Sequence, residues 1–126
     1  MPSPLADGPD RPPIWRAEAL HTTDGLRLEA RVVLPEEPVC GAVVLVHGFT
    51  ATGSHPEVVA QAEVLAAAGF AVVTYDARGH GGSTGSCTLG HDERHDVAAA
   101  VELARDWHPD VVVVGASMGA IATLRY

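Results

Sequence analysis

Three uninterrupted runs of apolar, mostly β-branched residues do most to limit how this chain can fold. They are residues 42–46 (AVVLV), 70–75 (FAVVTY) and 111–114 (VVVV). A strand with one face in water alternates apolar and polar residues, whereas these runs do not alternate. Continuous runs of this composition are typical of strands that helices cover on both faces of a parallel sheet. We therefore expect three parallel strands that are buried on both faces.

The stretches between these runs carry the spacing of amphipathic helices. Pro56 suits the first turn of one helix, and Gly69 ends it. Asp92 is placed to cap a second helix, which ends near Trp107, and a third helix begins at Ser117. The apolar stripes of the first two helices are Val58, Val59, Ala62, Leu65 and Ala66, followed by Val97, Ala100, Val101 and Ala104.

An antiparallel hairpin is predicted before the first buried run. Residues 15–20 and 26–34 are extended candidates, and the Asp24-Gly25 pair between them is a strong turn signal. Residues 1–13 hold five prolines and are expected to form a disordered Pro-rich tail. The predicted fold class for residues 14–126 is α/β: a mostly parallel sheet with helices on both faces and an antiparallel N-terminal hairpin.

Charge and hydropathy limit the partners of this chain. Its 126 residues include 8 Arg and no Lys against 16 acidic residues, for a net charge of -8. Nucleic acids and anionic membranes require a basic face, so neither is an expected partner. No apolar run approaches the roughly 20 residues of a membrane span, and no signal peptide is visible. The sequence predicts a cytoplasmic globular protein.

No metal or organic cofactor is expected. Cys40 and Cys87 are too few for a disulfide framework and lack a C-x-x-C spacing, so we interpret them as two small thiols. The sequence contains no P-loop pattern and no G-x-G-x-x-G after a strand. Nucleotide binding is therefore disfavoured.

The segment Gly115-Ala116-Ser117-Met118-Gly119 has the G-x-S-x-G spacing between a predicted strand and a predicted helix. At such a sharp turn the serine takes a strained backbone conformation that exposes its hydroxyl, and the glycines prevent collisions. The helix that follows directs free N–H groups at the same point, which suits a developing oxyanion. The alternative is a plain turn in which the serine only caps the helix.

Two further segments follow the other buried runs at the same edge of the sheet. His47-Gly48-Phe49 ends the first run, and an exposed N–H at Phe49 could join that of Met118 as an oxyanion donor. The glycine-rich loop 76–83 ends the second run. We expect its Asp76, Arg78 and His80 to pair within the loop rather than to take part in catalysis.

These three segments, in this order and at these spacings, resemble the α/β-hydrolase superfamily, and most closely its serine-hydrolase branch of monoacylglycerol lipases, esterases and serine aminopeptidase-like enzymes. The resemblance covers about residues 14–126 and implies a small-molecule ester or amide substrate. It implies that Ser117 is the nucleophile and that the backbone amides of Phe49 and Met118 form the oxyanion hole. It implies a mainly architectural role for the other motif residues, which are His47, Gly48, Asp76, Arg78, His80, Gly115 and Gly119.

The chain departs from the family pattern after the sharp turn at residues 115–119, the nucleophile elbow. The family order is Ser, then Asp or Glu, then His, but the nine residues after Ser117 include no acid and no histidine. We therefore expect this to be the N-terminal part of a hydrolase, inactive by itself, whose acid and base lie outside these residues. The alternative is a non-catalytic fragment or interaction module that keeps the first half of the fold. Downstream coding sequence with an acid and a histidine would distinguish the two.

The run at residues 111–114 would leave an apolar sheet edge exposed in the isolated chain. We expect the chain to be marginally stable or to self-associate through this edge. A cooperative, monomeric thermal transition above about 60 °C would contradict this expectation.

Overall fold

The computed structural model describes residues 13–36 and 38–126, which form one mixed five-stranded sheet with helices on both faces. The expected tail falls almost wholly on residues 1–12, outside the described residues. The strands lie in the order β1-β2-β4-β3-β5. In chain order the elements are β1 (Ile14–His21), β2 (Arg27–Leu34), β3 (Gly41–Val46), α1 (Pro56–Ala67), β4 (Phe70–Tyr75), α2 (Glu93–Ala104), β5 (Val111–Gly115) and α3 (Met118–Arg125).

The pairing of the strands confirms the predicted fold class. Strands β1 and β2 form an antiparallel hairpin, and β2 also pairs antiparallel with β4. Strand β3 is parallel to β4 on one side and to β5 on the other. The three continuous apolar runs are thus the parallel part of the sheet, and their carboxyl ends lie at one edge.

Each face of the sheet has its own hydrophobic core. Val44, Val73 and Val97 belong to the larger core, which lies between the sheet and helices α2 and α3. Val43 and Val72 belong to the smaller core, beneath α1. Neighbouring residues of β3 and β4 point into opposite cores, and every residue of β3 is buried. The prediction of burial on both faces is therefore correct for these two strands.

The same prediction is wrong for one face of β5. Val112 and Val114 are 59% and 49% exposed, while Val111 and Val113 pack against the larger core. Within the described residues, β5 pairs only with β3 and is an edge strand. Helix α1 does not cover β5, so the face of β5 on that side of the sheet is open. An apolar groove of about 530 Å³ lies there, lined in part by Leu45 and Val114.

The ends of the helices agree with the residues predicted to begin and end them, except for the predicted cap of α2. Helix α1 begins at Pro56, and Gly69 lies just beyond its end with a φ of +106°, as predicted. Asp92 occupies the cap position of α2 but makes no capping hydrogen bond. Its φ of -80° and ψ of -17° are already helical, whereas a capping side chain needs an extended backbone to reach the free amides.

No helix in the described part of the chain is long and apolar enough to cross a membrane. The cytoplasmic location stays a prediction.

Candidate active site

Ser117 lies at a sharp turn between β5 and α3 and is exposed. Its φ of 54° and ψ of -117° are rare for a residue with a side chain. Such strain costs roughly 1–3 kcal/mol and persists only where the surrounding structure imposes it. The Ser117 side chain makes no capping bond to α3. The alternative of a serine that only caps the helix is therefore wrong.

Close backbone approaches explain the two flanking glycines. A Cβ added at Gly115 would lie 2.5 Å from the carbonyl oxygen of Gly119. A Cβ at Gly119 would lie 2.4 Å from the carbonyl oxygen of Val46 and 2.7 Å from that of His47. Real Cβ atoms essentially never come within 3.0 Å of other atoms in this way. The turn can bring α3 against the end of β3 only because both positions lack side chains.

The turn after β3 lies directly beside Ser117. The amide of Ala116 donates to the carbonyl of Val46 at 3.1 Å, which joins the ends of the two strands. A Cβ built on Gly48 would lie 3.3 Å from Cβ and 4.0 Å from Oγ of Ser117. The fold thus brings together the two segments that the sequence singled out, which lie nearly seventy residues apart.

Neither the N–H group of Phe49 nor that of Met118 has a hydrogen-bond acceptor among the described residues, and the same holds for the amides of Gly48 and Ser117. Met118 is the first residue of α3, where amides lack an intrahelical partner and the helix dipole is positive. An oxygen that gains negative charge beside Ser117 would find such donors favourable.

His47 is held inside the fold by both ring nitrogens. Its Nε2 accepts from the amide of Ala77 at 2.9 Å, so its Nδ1 carries the proton and donates to the carbonyl of Gly48 at 2.7 Å. His47 is 3% exposed, and burial lowers the pKa of its imidazole. The Gly48 carbonyl and the Phe49 N–H belong to one planar trans peptide and point in opposite directions. His47 therefore helps to orient the Phe49 amide.

His80 is engaged in the same way. Its Nε2 accepts from the amide of Thr50 at 3.2 Å, and its Nδ1 donates to the carbonyl of Arg78 at 3.1 Å. Neither His80 nor His47 keeps a ring nitrogen free to take a proton from Ser117.

Asp76 anchors the loop after β4 to its neighbours. One carboxylate oxygen accepts from the Gly53 amide at 2.9 Å and from Arg31 at 3.4 Å, and the other accepts from the Gly82 amide at 3.1 Å. Burial alone would raise the pKa of Asp76, but these hydrogen bonds outweigh it and hold the pKa below its usual value. The expectation of pairing within the loop is only partly correct, because Gly53 and Arg31 lie on other segments.

Arg78 likewise pairs outside its own loop. Its side chain donates to Asp96 on α2 at 2.7 and 2.9 Å and to both oxygens of Asp24 at 2.7 and 3.0 Å. Arg78 and Asp96 are both buried. The expectation that Arg78 pairs within its loop is therefore wrong for its side chain. A guanidinium is planar and carries several donors, so it can join two carboxylates that the fold brings to different sides of it.

A cluster around Glu93 was not anticipated from the sequence. The buried Glu93 carboxylate accepts hydrogen bonds from the amide and hydroxyl of Thr88 and from the amide of Gly90. Gly90 lies against the start of α3, where an added Cβ would lie 2.6 Å from Ile121. The turn at residues 87–90 thereby packs against helix α3, which follows Ser117. Nothing in the local sequence signals these contacts.

His91 and His95 have a spacing that suits a metal site on a helix, but the structure does not use it in that way. His91 precedes α2, so the two rings do not share a helical face. Among the described residues, no group of three or more His, Cys, Asp or Glu side chains is arranged to hold a metal ion.

Comparison with known proteins agrees with this geometry. The family model for the serine aminopeptidase S33 hydrolases matches residues 37–126. The esterase Pf2001 of Pyrococcus furiosus has a similar structure, with a TM-score of 0.77 and 26% identity over 97% of this chain and 49% of its own. Est1E of Butyrivibrio proteoclasticus, solved with ferulic acid bound, gives a TM-score of 0.76 and 30% identity over 86% of this chain and 45% of its own.

A serine hydrolase without a lid, XC6422 of Xanthomonas campestris, gives a TM-score of 0.76 and 29% identity over 90% of this chain and 56% of its own. The chain thus spans about half the length of the solved structures that it matches. The likeness to these three structures covers 86–97% of this chain. The chain belongs to the serine aminopeptidase S33 family of α/β hydrolases.

Proposed function

We propose that the protein hydrolyses carboxylic esters or amides through an acyl-enzyme on Ser117. The observation that carries the proposal is the exposed hydroxyl of a serine in a strained backbone conformation, at the start of a helix and beside Gly48. Strain of this kind concentrates at functional sites because folding alone gains nothing from it. Membership of a hydrolase family and likeness to esterases support the same activity.

The proposed chemistry has two halves. Ser117 Oγ attacks the substrate carbonyl while its proton passes to a base, and the carbonyl oxygen gains the negative charge. The amides of Phe49 and Met118 donate to that oxygen. Collapse of the tetrahedral intermediate breaks the bond to the alcohol or amine, which takes the proton from the base. Water then releases the acid by the reverse path through the same base.

The base and its orienting acid are proposed to lie outside residues 1–126. His47 and His80, which lie close to the site, use both ring nitrogens in hydrogen bonds to the backbone. We therefore expect these 126 residues alone to hydrolyse esters several orders of magnitude more slowly than a protein with the base and acid in place, with only the oxyanion hole and substrate binding contributing.

We further propose that the acyl part of the substrate is neutral and apolar. Phe49, Leu89 and Ile121 are exposed apolar residues on the turn after β3, on the turn at residues 87–90 and on α3. Ile121 lies one helical turn beyond Ser117, whose carbonyl accepts from its amide. Esters of apolar or aromatic acids fit this surface, and the ferulic acid in the Est1E structure belongs to that class.

A fluorophosphonate probe tests the nucleophile. In the complete protein we expect rapid covalent labelling that peptide mapping assigns to Ser117, and no labelling of a Ser117→Ala variant. A Ser86→Ala variant, which removes another exposed serine, is the matched control and should label like the wild type. Undiminished labelling of Ser117→Ala would refute the assignment. Failure of the wild type to label would favour a non-catalytic module.

A further inference from the structure

We propose that His80 is a positioning residue for the oxyanion hole, acting on the Phe49 amide through Thr50. The proposal rests on the proposed function of this site. The oxyanion donors come from two different segments, and α3 holds Met118 in place through its helical hydrogen bonds. The Phe49 donor belongs to an exposed turn without regular structure, so its direction depends on side chains that hold the turn.

The turn is strained at the residue after Phe49. Thr50 has a φ of +68°, which a β-branched residue adopts rarely because its side chain meets the backbone there. Thr50 is exposed, so packing does not impose this conformation. Its amide donates to Nε2 of His80 at 3.2 Å, and the Ala51 amide closes the turn on the Gly48 carbonyl at 3.2 Å. These two bonds together hold Thr50 in the left-handed region.

His80 also contacts the residue that carries the donor. The rings of Phe49 and His80 meet edge to face, with centroids 5.8 Å apart and planes at 84°. Phe49 is 55% exposed, so few other contacts restrain it. One imidazole therefore holds both the Phe49 side chain and the amide that follows it.

His80 is itself fixed well enough to serve this purpose. It is buried, its Nδ1 donates to the Arg78 carbonyl at 3.1 Å, and its ring meets the edge of His47 at 5.1 Å. Arg78 is in turn held by the buried carboxylate of Asp96. The Nε2 lone pair is thus aimed at Thr50 by a chain of contacts that begins on helix α2.

The remaining contacts on the turn act on the other side of Phe49. His47 and the Ala51 amide both donate to the Gly48 carbonyl, at 2.7 and 3.2 Å. They orient the peptide that contains the Phe49 N–H, whereas His80 fixes the next peptide. Without His80 as an acceptor for its amide, Thr50 would keep only the Ala51 bond to hold its positive φ, and the peptides around Phe49 would move more freely. A donor used mainly in the transition state would then be misdirected.

The test compares His80→Ala with His80→Gln in the complete protein, with His21→Ala, an exposed histidine, as the control. Glutamine offers a carbonyl oxygen near the position of Nε2. With an aryl ester substrate, we expect His80→Ala to lower kcat by about 10- to 100-fold with little change in KM. Inhibition by a trifluoromethyl ketone, which forms an oxyanion on Ser117, should weaken by a similar factor. His80→Gln should recover most of both losses.

Hydrogen exchange gives a readout that does not depend on turnover. The Thr50 amide should be protected in the wild type and in His80→Gln, and unprotected in His80→Ala. If the wild type is active and His80→Ala has the same kcat, the positioning role is overturned and the proposed function is left intact. A loss shared equally by His80→Gln, or one seen only in KM, would overturn it too. A wild type that neither turns over ester nor labels at Ser117 would instead refute the proposed function, and this proposal with it.

Discussion

Replacing Gly119 by alanine should separate the elbow from the strand that supports it. The new Cβ would lie 2.4 Å from the Val46 carbonyl oxygen. Separating these two atoms to 3.0 Å requires a shift of about 0.6 Å (3.0 − 2.4). Both atoms are backbone, so no side chain can rotate away, and α3 itself must move. Overpacking of this kind costs about 1–3 kcal/mol of unfolding free energy. A site displaced by a fraction of an ångström should react about tenfold or more slowly with a fluorophosphonate.

The assay measures two quantities on the complete protein: the urea unfolding midpoint and the rate of Ser117 labelling. Gly25→Ala is the matched control, because Gly25 has a φ of +92° but nothing within 4 Å of an added Cβ. It should lose about 1 kcal/mol through backbone strain while Ser117 labels normally. Unchanged stability of Gly119→Ala would refute the argument from close approach. Lost stability with a normal labelling rate would refute the link between the placement of α3 and the site.

Three further changes test other parts of the fold. Arg78→Met should cost about 3–5 kcal/mol in urea unfolding, because it removes the guanidinium that pairs with the buried Asp96 carboxylate and leaves that carboxylate only the backbone amide of residue 78 as a donor. Asp24→Asn, at the more exposed end of the same guanidinium, should cost about 1 kcal/mol or less. The folded protein depresses the pKa of Asp76, so the stability from this group is fully present above the unfolded pKa of about 3.9 and is lost as pH falls through the folded value. Urea midpoints of Asp76→Asn should therefore fall less on acidification than those of the wild type. Val112→Lys should reduce self-association of the isolated chain in sedimentation velocity, because it charges the open face of the edge strand.

Each of these changes has an outcome that contradicts it. Arg78→Met as stable as the wild type would mean that Asp96 finds another partner. If Asp76→Asn and the wild type lose the same stability on acidification, carboxylates other than Asp76 are responsible for that loss. Thr23→Lys adds the same charge on the exposed hairpin turn and should leave self-association unchanged. An isolated chain that melts cooperatively as a monomer above about 60 °C would remove the reason for the Val112 experiment.

Most of the fold was predictable from local patterns. The hairpin, the three parallel strands and the three helices all lie where periodicity and turn residues placed them, because alternation, unbroken apolar runs and helical spacing are local patterns of the sequence. The elbow was predictable as well, since its two glycines and its serine are neighbours in the chain. The exposure of one face of β5 could not be predicted in this way. Whether Val112 is covered depends on which element lies beside the strand and not on the residues of the strand.

The hydrogen-bond partners of the polar loop residues could not be predicted from the sequence either. Asp76, Arg78 and His80 were identified as a loop of interest, but their partners are Gly53, Asp96 and Thr50, which the chain order does not bring near. A hydrogen bond needs a donor and an acceptor within about 3 Å, and only the packing of distant segments decides which groups meet at that range. Local sequence therefore predicts the strands, the helices and the strained serine, whereas the network that supports the turn at Phe49 arises from contacts between segments. That network exists because neutral imidazoles and buried carboxylates must satisfy their hydrogen-bonding groups inside the fold.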